Sequence, residues 1–396
     1  MARAQRPIYL DYAATTPVDP RVIDRMAGFL GVEGLFANPS SVTHAPGRAA
    51  RAAVEEARHE VAALIGARDR EVYFTSGATE SNNLAWRGLA ASRRDRGCHL
   101  VTSRIEHASV LDTARALEAE GFRVTYVPCN REGRVEPERV REALTPETLL
   151  CSVMHVNNET GVIQDIAAIG GLCRDRGIPF HVDAVQSAGK LPIDLSELPV
   201  DLMSFSAHKV YGPKGIGALY VRHDPGLVLE PLIRGGGQER GLRAGTLATH
   251  QIVGLGTAFR IAREEGEADA ARIRQLRDAL WERLSRLDQV HLNGGGAPRA
   301  CGHLSASFNA VNGESLIFFL GNLAVAQGSA CSSARGEPSH VLQAMGLSPG
   351  EAESTLRITL GRFTTPEEIE IAAERIIQAY TRLAAIAPGS GRRHAG

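Results

Sequence analysis

No two cysteines in this 396-residue chain have the C-x-x-C spacing that opens a zinc knuckle: Cys98, Cys129, Cys151, Cys173, Cys301 and Cys331 stand 31, 22, 22, 128 and 30 residues apart. A structural metal site is therefore not expected. Charge of one sign is missing too. With 44 Lys+Arg against 45 Asp+Glu and a net charge of -1, the chain has no overall attraction for nucleic acid or an anionic membrane. Nothing approaches the roughly 20 apolar residues of a membrane span, and the opening MARAQRPIYL has no apolar core of a secretion signal. These absences point to a soluble, cytoplasmic protein with no direct nucleic-acid or membrane partner. No stretch matches the nucleotide-binding pattern G-x-x-x-x-G-K-[ST], since Gly212-Pro213-Lys214-Gly215 lacks the hydroxyl after its lysine. There is no internal repeat, and the only low-complexity stretch, 388–396, is expected to be a disordered tail.

What is present is a core-forming composition, 43% hydrophobic and 22% charged, enough for more than one domain. Ala50, Val54, Ala57, Val61 and Leu64 recur at helical spacing within 47–66, with Gly66 as a stop signal. Short apolar runs follow at 71–75, 100–103, 124–127, 149–153, 178–183, 202–206 and 217–221, separated by helix-length segments. That alternation predicts an α/β fold with a mostly parallel central sheet and helices on both faces. Past about 260 the pattern changes to a charged helix at 273–287, short strands and a final helix, for which Thr365, Pro366 and Glu368 supply a capping box. The expected organisation is a large domain over 1–260, whose N-terminal segment packs on the small domain, and a smaller α+β domain over 261–387.

Two segments at the ends of apolar runs carry chemistry. His181-Val182-Asp183-Ala184-Val185-Gln186 sets a carboxylate and an amide three residues apart, although such an aspartate could also be a helix cap. Ser206-Ala207-His208-Lys209 ends another run with a hydroxyl, an imidazole and an amine. A lysine there is costly to desolvate unless it is paired, covalently used or facing a cavity. An exposed turn lysine is the plain alternative. Jointly the segments suit pyridoxal 5'-phosphate (PLP): a lysine to bond the aldehyde, an acid to hold the pyridine nitrogen protonated, and hydroxyls with a helix N-terminus for the phosphate. Ser76-Gly77-Ala78-Thr79 offers that turn after a strand.

With these residues in view the chain resembles the cysteine desulfurases of the IscS/NifS type, in the class V aminotransferase group of fold-type I PLP-dependent transferases. The likeness runs from YLDYAATT at 9–16 to about 384. It includes Asn38-Pro39-Ser40-Ser41, the turn at 75–82, Glu106-His107, HVNNETG at 155–161, the two segments above, the Gly-rich stretch 234–246 and 328–333. The resemblance implies Lys209 as the cofactor lysine rather than Lys214, Asp183 at the pyridine nitrogen, Gln186 at the phenolic oxygen, and Asn158 as a further polar contact. It implies His107 stacked on the ring as a proton carrier. Ala78, Thr79, Ser206 and His208 would hold the phosphate, and Thr246 would reach the phosphate site of the other subunit of a homodimer. Asn38 and Arg357 would grip the substrate carboxylate.

Cys331 lies in Gly328-Ser329-Ala330-Cys331-Ser332-Ser333, a run of small polar residues that would display a thiol. A surface cysteine in a linker is the bland alternative. Near Arg335 the reactive thiolate is favoured. The resemblance implies conversion of L-cysteine to L-alanine with a persulfide on Cys331. That sulfur would go to an iron-sulfur scaffold or another acceptor protein, for iron-sulfur cluster assembly or for tRNA or cofactor thiolation. Cys331 would also be able to act as a transient cluster ligand with a scaffold. The same PLP residues would serve a selenocysteine lyase or an aminotransferase, and a non-catalytic interaction subunit is the alternative from another class.

Overall fold

The computed structural model of the chain describes residues 7–328 and 338–386. Its strands are β1 (Ile8–Tyr9), β2 (Val72–Thr75), β3 (His99–Ser103), β4 (Arg123–Val127), β5 (Thr148–Ser152), β6 (Phe180–Asp183), β7 (Leu202–Ser206), β8 (Gly217–Val221), β9 (Val290–Leu292), β10 (His303–Phe308), β11 (Leu323–Ala324) and β12 (Thr355–Thr359). The helices are α1 (Pro20–Ala27), α2 (Ala45–Leu64), α3 (Ala78–Ser92), α4 (Ala108–Ala119), α5 (Pro137–Ala143), α6 (Ile166–Arg174), α7 (Thr249–Leu284), α8 (Gly313–Leu320), α9 (His340–Ala344), α10 (Pro349–Glu353) and α11 (Pro366–Ile386).

A seven-stranded sheet runs in the order β2-β8-β7-β6-β5-β3-β4. The pairs from β7 through β4 are parallel, and β8 lies antiparallel to both its neighbours. Strand residues alternate between two cores as the pleat requires. Leu100, Leu202 and Leu219 pack with α3 and α4 around Trp86 and Leu89. Val101, Phe205 and Ala218 pack on the opposite face with Val54 and Val61 of α2 and Phe259 of α7. The mostly parallel sheet between two helical layers is thus the expected fold class.

The second sheet, β12-β10-β9, is antiparallel. Leu10 is buried in its core beside Leu304, Ile358 and Ile376. The chain's start reaches there because β1 pairs with β11 and Asp11 bridges to Thr359. α11 has the expected start: Thr365 N–H donates to Glu368 Oε2 at 3.0 Å and Glu368 N–H to Thr365 Oγ1 at 3.2 Å. Its expected inner face, from Ile369 through Leu383, is buried.

One expectation needs correction. The charged helix placed at 273–287 is the second half of α7, which is continuous from Thr249 to Leu284. Its first half is apolar because Ile252, Leu255 and Phe259 enter the large-sheet core, and charged residues dominate only beyond it. The boundary set at 260 falls inside this helix. The tail at 388–396 lies outside the described residues.

A buried ion pair fixes the edge of the large sheet. Arg58 of α2 donates from both terminal nitrogens to Glu239 at 2.8 Å, and also to the Val72 carbonyl at 2.9 Å. Glu239 additionally accepts from Phe74 N–H at 2.7 Å. Both side chains are almost fully buried, at 3% and 1%, so removing Glu239 takes from a buried guanidinium its one buried carboxylate and leaves it the Val72 carbonyl and Glu55, which accepts from Nε at 3.0 Å. Replacing Glu239 with alanine is expected to lower unfolding stability by about 3–5 kcal/mol. Glu239→Gln, which keeps one acceptor, should cost less. Urea denaturation of the three proteins reads this directly, and an alanine effect below about 1 kcal/mol, the level of exposed pairs, would contradict it.

Candidate functional site

The C-terminal ends of β2, β3, β5, β6 and β7 open onto one cavity of about 440 Å³, lined among others by Ala78, Thr79, His107, Asn158, Asp183, Gln186, Ser206, His208, Lys209 and Arg357. Ligands of open α/β sheets bind at this edge. Polar residues converge here because each parallel strand stops and its chain turns toward the next helix. Thus α3 starts just past β2, His107 caps α4 just past β3, and Lys209 sits in a short 3-10 turn just past β7.

Asp183 is 4% exposed. Its Oδ2 accepts from Asn82 Nδ2 at 2.9 Å and its Oδ1 from Val185 N–H at 3.0 Å. Asn82 also donates to Ser109 Oγ, while its own Oδ1 is buried without a partner. His107 Nδ1 accepts from Ser109 N–H at 3.1 Å and pairs with Ser109 Oγ at 2.8 Å. Burial lowers its pKa against the attraction of Asp183. Next to it in the chain Glu106 is fully buried and pushed up to about 8 by desolvation.

The Lys209 amine donates to the carbonyls of Ala13 and Ala14 at 2.5 and 2.6 Å. Burial, then the charges of Lys190 and Arg357, brings its pKa down to about 7. His208 is lowered to about 4, mainly by burial, and its Nδ1 meets Thr15 Oγ1 at 3.1 Å. Gln186 donates to the Ala13 carbonyl at 2.9 Å. Arg357 is 2% exposed, bonds Asp11 at 2.8 Å and the Asn158 carbonyl at 3.2 Å, and leaves its Nε buried without a partner.

The first turn of α3 has no side-chain cap, so its N–H groups and dipole are available to an anion. Gly77 there has φ 153°. A Cβ on Gly217 of β8 would come within 2.7 Å of the Gly77 Cα, so glycine at both positions lets the turn lie against the sheet.

Three expected residues stand apart. Asn38 is exposed and not among the cavity's lining residues; its Oδ1 accepts from Ser40 N–H at 2.9 Å. Thr246 is exposed and also absent from the lining. Cys331 lies outside the described residues, and the C-terminal flank of its segment is bonded to the loops that follow β3 and β5. Ser339 Oγ donates to Glu159 Oε2 at 2.5 Å, with Gly328 next to the same carboxylate, and His340 Nε2 meets the Glu106 carbonyl at 3.0 Å. Lys214, exposed as expected, nonetheless lines the cavity. The sequence reading gave no role to Asn82, to the Ala13 and Ala14 carbonyls or to Lys190. Asn82 and Ala13 fall inside quoted motifs, but only the tertiary contacts distinguish them. The chain has three lysines in all, Lys190, Lys209 and Lys214, and every one lines this cavity or the smaller one beside it.

Comparison with known proteins gives this geometry a family. The class-V aminotransferase family model matches residues 8–371. A cysteine desulfurase IscS of Pseudomonas syringae pv. tomato is 56% identical over 382 residues, 96% of this chain and 95% of the relative. One from Klebsiella pneumoniae is 55% identical over the same shares. Among solved structures, a NifS-like protein superposes with TM-score 0.88 at 37% identity, covering 95% of this chain and 100% of its own. A protein described as SspA in complex with cysteine superposes with TM-score 0.80 at 42% identity, over 90% and 99%. No helix among the described residues is long and apolar enough to cross a membrane. The chain belongs to the class-V aminotransferase family and, within it, to the cysteine desulfurases of the IscS type.

Proposed function

We propose that this chain is a PLP-dependent cysteine desulfurase that converts L-cysteine to L-alanine, with Cys331 accepting the sulfur and supplying it to iron-sulfur cluster assembly. The observation that carries the site reading is the convergence, in one cavity, of a lysine with a depressed pKa, a buried carboxylate and an uncapped helix N-terminus. The donor set fits PLP: Lys209 for the aldehyde, Asp183 for the pyridine nitrogen, Gln186 for the phenolic oxygen, and Ala78, Thr79, Ser206 and His208 for the phosphate. When bound, PLP supplies an electron sink for a carbanion at the substrate α-carbon.

The chain's own groups do the rest. Lys209, titrating near 7, can give or take a proton at neutral pH. His107, whose Nδ1 accepts from Ser109 N–H, carries its proton on Nε2 when neutral and can give it up and take it back there. Arg357, which lines the cavity, would hold the substrate carboxylate; Asn38 lies outside that lining. The Cys331 thiolate attacks the substrate sulfur: an S–S bond forms, the carbon–sulfur bond breaks, and its electron pair stays on the three-carbon fragment, which gains a proton to become alanine. The bond that holds Ser339 to Glu159, on the C-terminal side of the Cys331 segment, favours this role for Cys331. A reducing compartment such as the cytoplasm keeps the thiol available.

We further propose a homodimer in which Thr246 completes the partner's phosphate site. Its exposed position outside its own chain's cavity favours this. An iron-sulfur scaffold or another acceptor protein would take the sulfur next.

Three outcomes are expected. Cys331→Ala keeps the cofactor's visible absorbance but loses alanine formation from L-cysteine by about a thousandfold or more; near-parental turnover, or a persulfide found by mass spectrometry on another cysteine, would reject the role. Cofactor uptake by the cofactor-free protein rises with pH through a midpoint near 7 as the Lys209 ammonium loses its proton; a midpoint near the ordinary lysine value would contradict the site's electrostatics. Mixing Lys209→Ala with Thr246→Ala chains, each strongly impaired alone, restores activity in heterodimers that keep one composite site; no recovery would count against the shared site.

A further inference from the structure

Lys190 has no part in the chemistry above, yet its contacts lead into it. Its amine donates to Gln186 Oε1 at 3.1 Å. A lysine ammonium has donors only, so the Gln186 atom facing it must be the oxygen, and the amide nitrogen is turned the other way. There Nε2 donates to the Ala13 carbonyl at 2.9 Å, the same oxygen that accepts from Lys209 at 2.5 Å. Lys190 thus holds the oxygen end of this amide while the Ala13 carbonyl holds the nitrogen end.

The second observation is spatial. Lys190 and Lys209 both line a small cavity of about 30 Å³, shared with His303 and Cys301. That is room for roughly one or two waters, and His303, buried there, has neither ring nitrogen partnered. Lys209 thereby shares with a second amine a space that Asp183 does not line. Its charged surroundings are Lys190 and Arg357, which repel a proton, and Asp11 and Asp183, which attract one, with the His107 and His208 rings also within electrostatic range. Lys190 is the largest of these charges in effect, after burial itself, and burial lowers its own pKa to about 8.

We propose that Lys190 is a positioning residue of the cofactor pocket, locking the Gln186 amide with its N–H donor toward the Lys209 side and setting a second positive charge beside Lys209. This rests on the assignment of Lys209 and Gln186 to the cofactor. Residues that touch the cofactor do the bonding; Lys190 acts through them.

The test uses Lys190→Met, which keeps the length but has neither charge nor donor, and Lys190→Arg, which keeps both. In cofactor-free protein, each lysine is labelled by short acetic anhydride pulses across a pH series and read by peptide mass spectrometry, which is simple with only three lysines. Lys190→Met should move the Lys209 labelling midpoint up by about one unit, a roughly fivefold slower reaction at pH 7, and should speed PLP loss from the holoprotein. Lys190→Arg should leave the midpoint within a few tenths of a unit. If Lys190→Met fails to fold, judged by circular dichroism, Lys190→Gln should give the same upward shift. An unchanged midpoint in the uncharged variant, or an equal shift in Lys190→Arg, overturns the proposal. Borohydride reduction of the parent holoprotein tests the underlying assignment separately: PLP trapped on Lys209 upholds it, and PLP trapped on Lys190 or Lys214 removes it.

Discussion

The ion pair between Arg357 and Asp11 is the joint on which the site depends. It ties β12 of the small sheet to the first residues of the chain at 2.8 Å, and the same guanidinium holds the Asn158 carbonyl of the 155–161 loop. Thr359, two residues on, accepts from Ala13 N–H at 2.9 Å. The N-terminal segment is thus suspended between the two sheets, with the Ala13 and Ala14 carbonyls offered to Lys209. With Arg357 2% exposed, loss of Asp11 would leave a buried charge dependent on one carbonyl, a far larger cost than loss of a surface pair. Three regions distant in sequence are therefore held in register by one guanidinium.

The cavity's electrostatics follow from where charge is allowed to survive. Burial pushes Glu106 up to about 8, His208 and His107 are held below their usual range, and Lys209 is brought to about 7. Asp183, by contrast, accepts hydrogen bonds from Asn82 Nδ2 and from the Val185 N–H. The result is a negative group at one end, an uncapped helix N-terminus at the other and a titratable amine between, an arrangement suited to a ligand with a basic ring nitrogen and an anionic tail.

Much of this was legible in the sequence because strand ends announce themselves. The apolar runs at 202–206 and 217–221 coincide with β7 and β8, and the polar residues after 75, 183 and 206 stand where parallel strands stop. The capping box at Thr365 was equally readable, since it is local. What escaped was long-range. The first half of α7 looked unlike a surface helix because it is buried on the large core, and the Arg58–Glu239 pair joins residues 181 positions apart. Asn82 and Lys190 sit on elements whose composition says nothing special about them. Asn38 and Thr246 came from the family likeness, and the chain's own cavity does not include them.

The scarcity of lysine has a consequence of its own. Of 44 basic residues only three are lysines, so the protein's positive surface is almost entirely guanidinium. Guanidinium groups stay protonated and so lack the free electron pair that attacks a carbonyl carbon. An aldehyde diffusing over this molecule therefore meets few side-chain amines until it arrives at the end of β7, and decoy adducts elsewhere on the surface have little to form from.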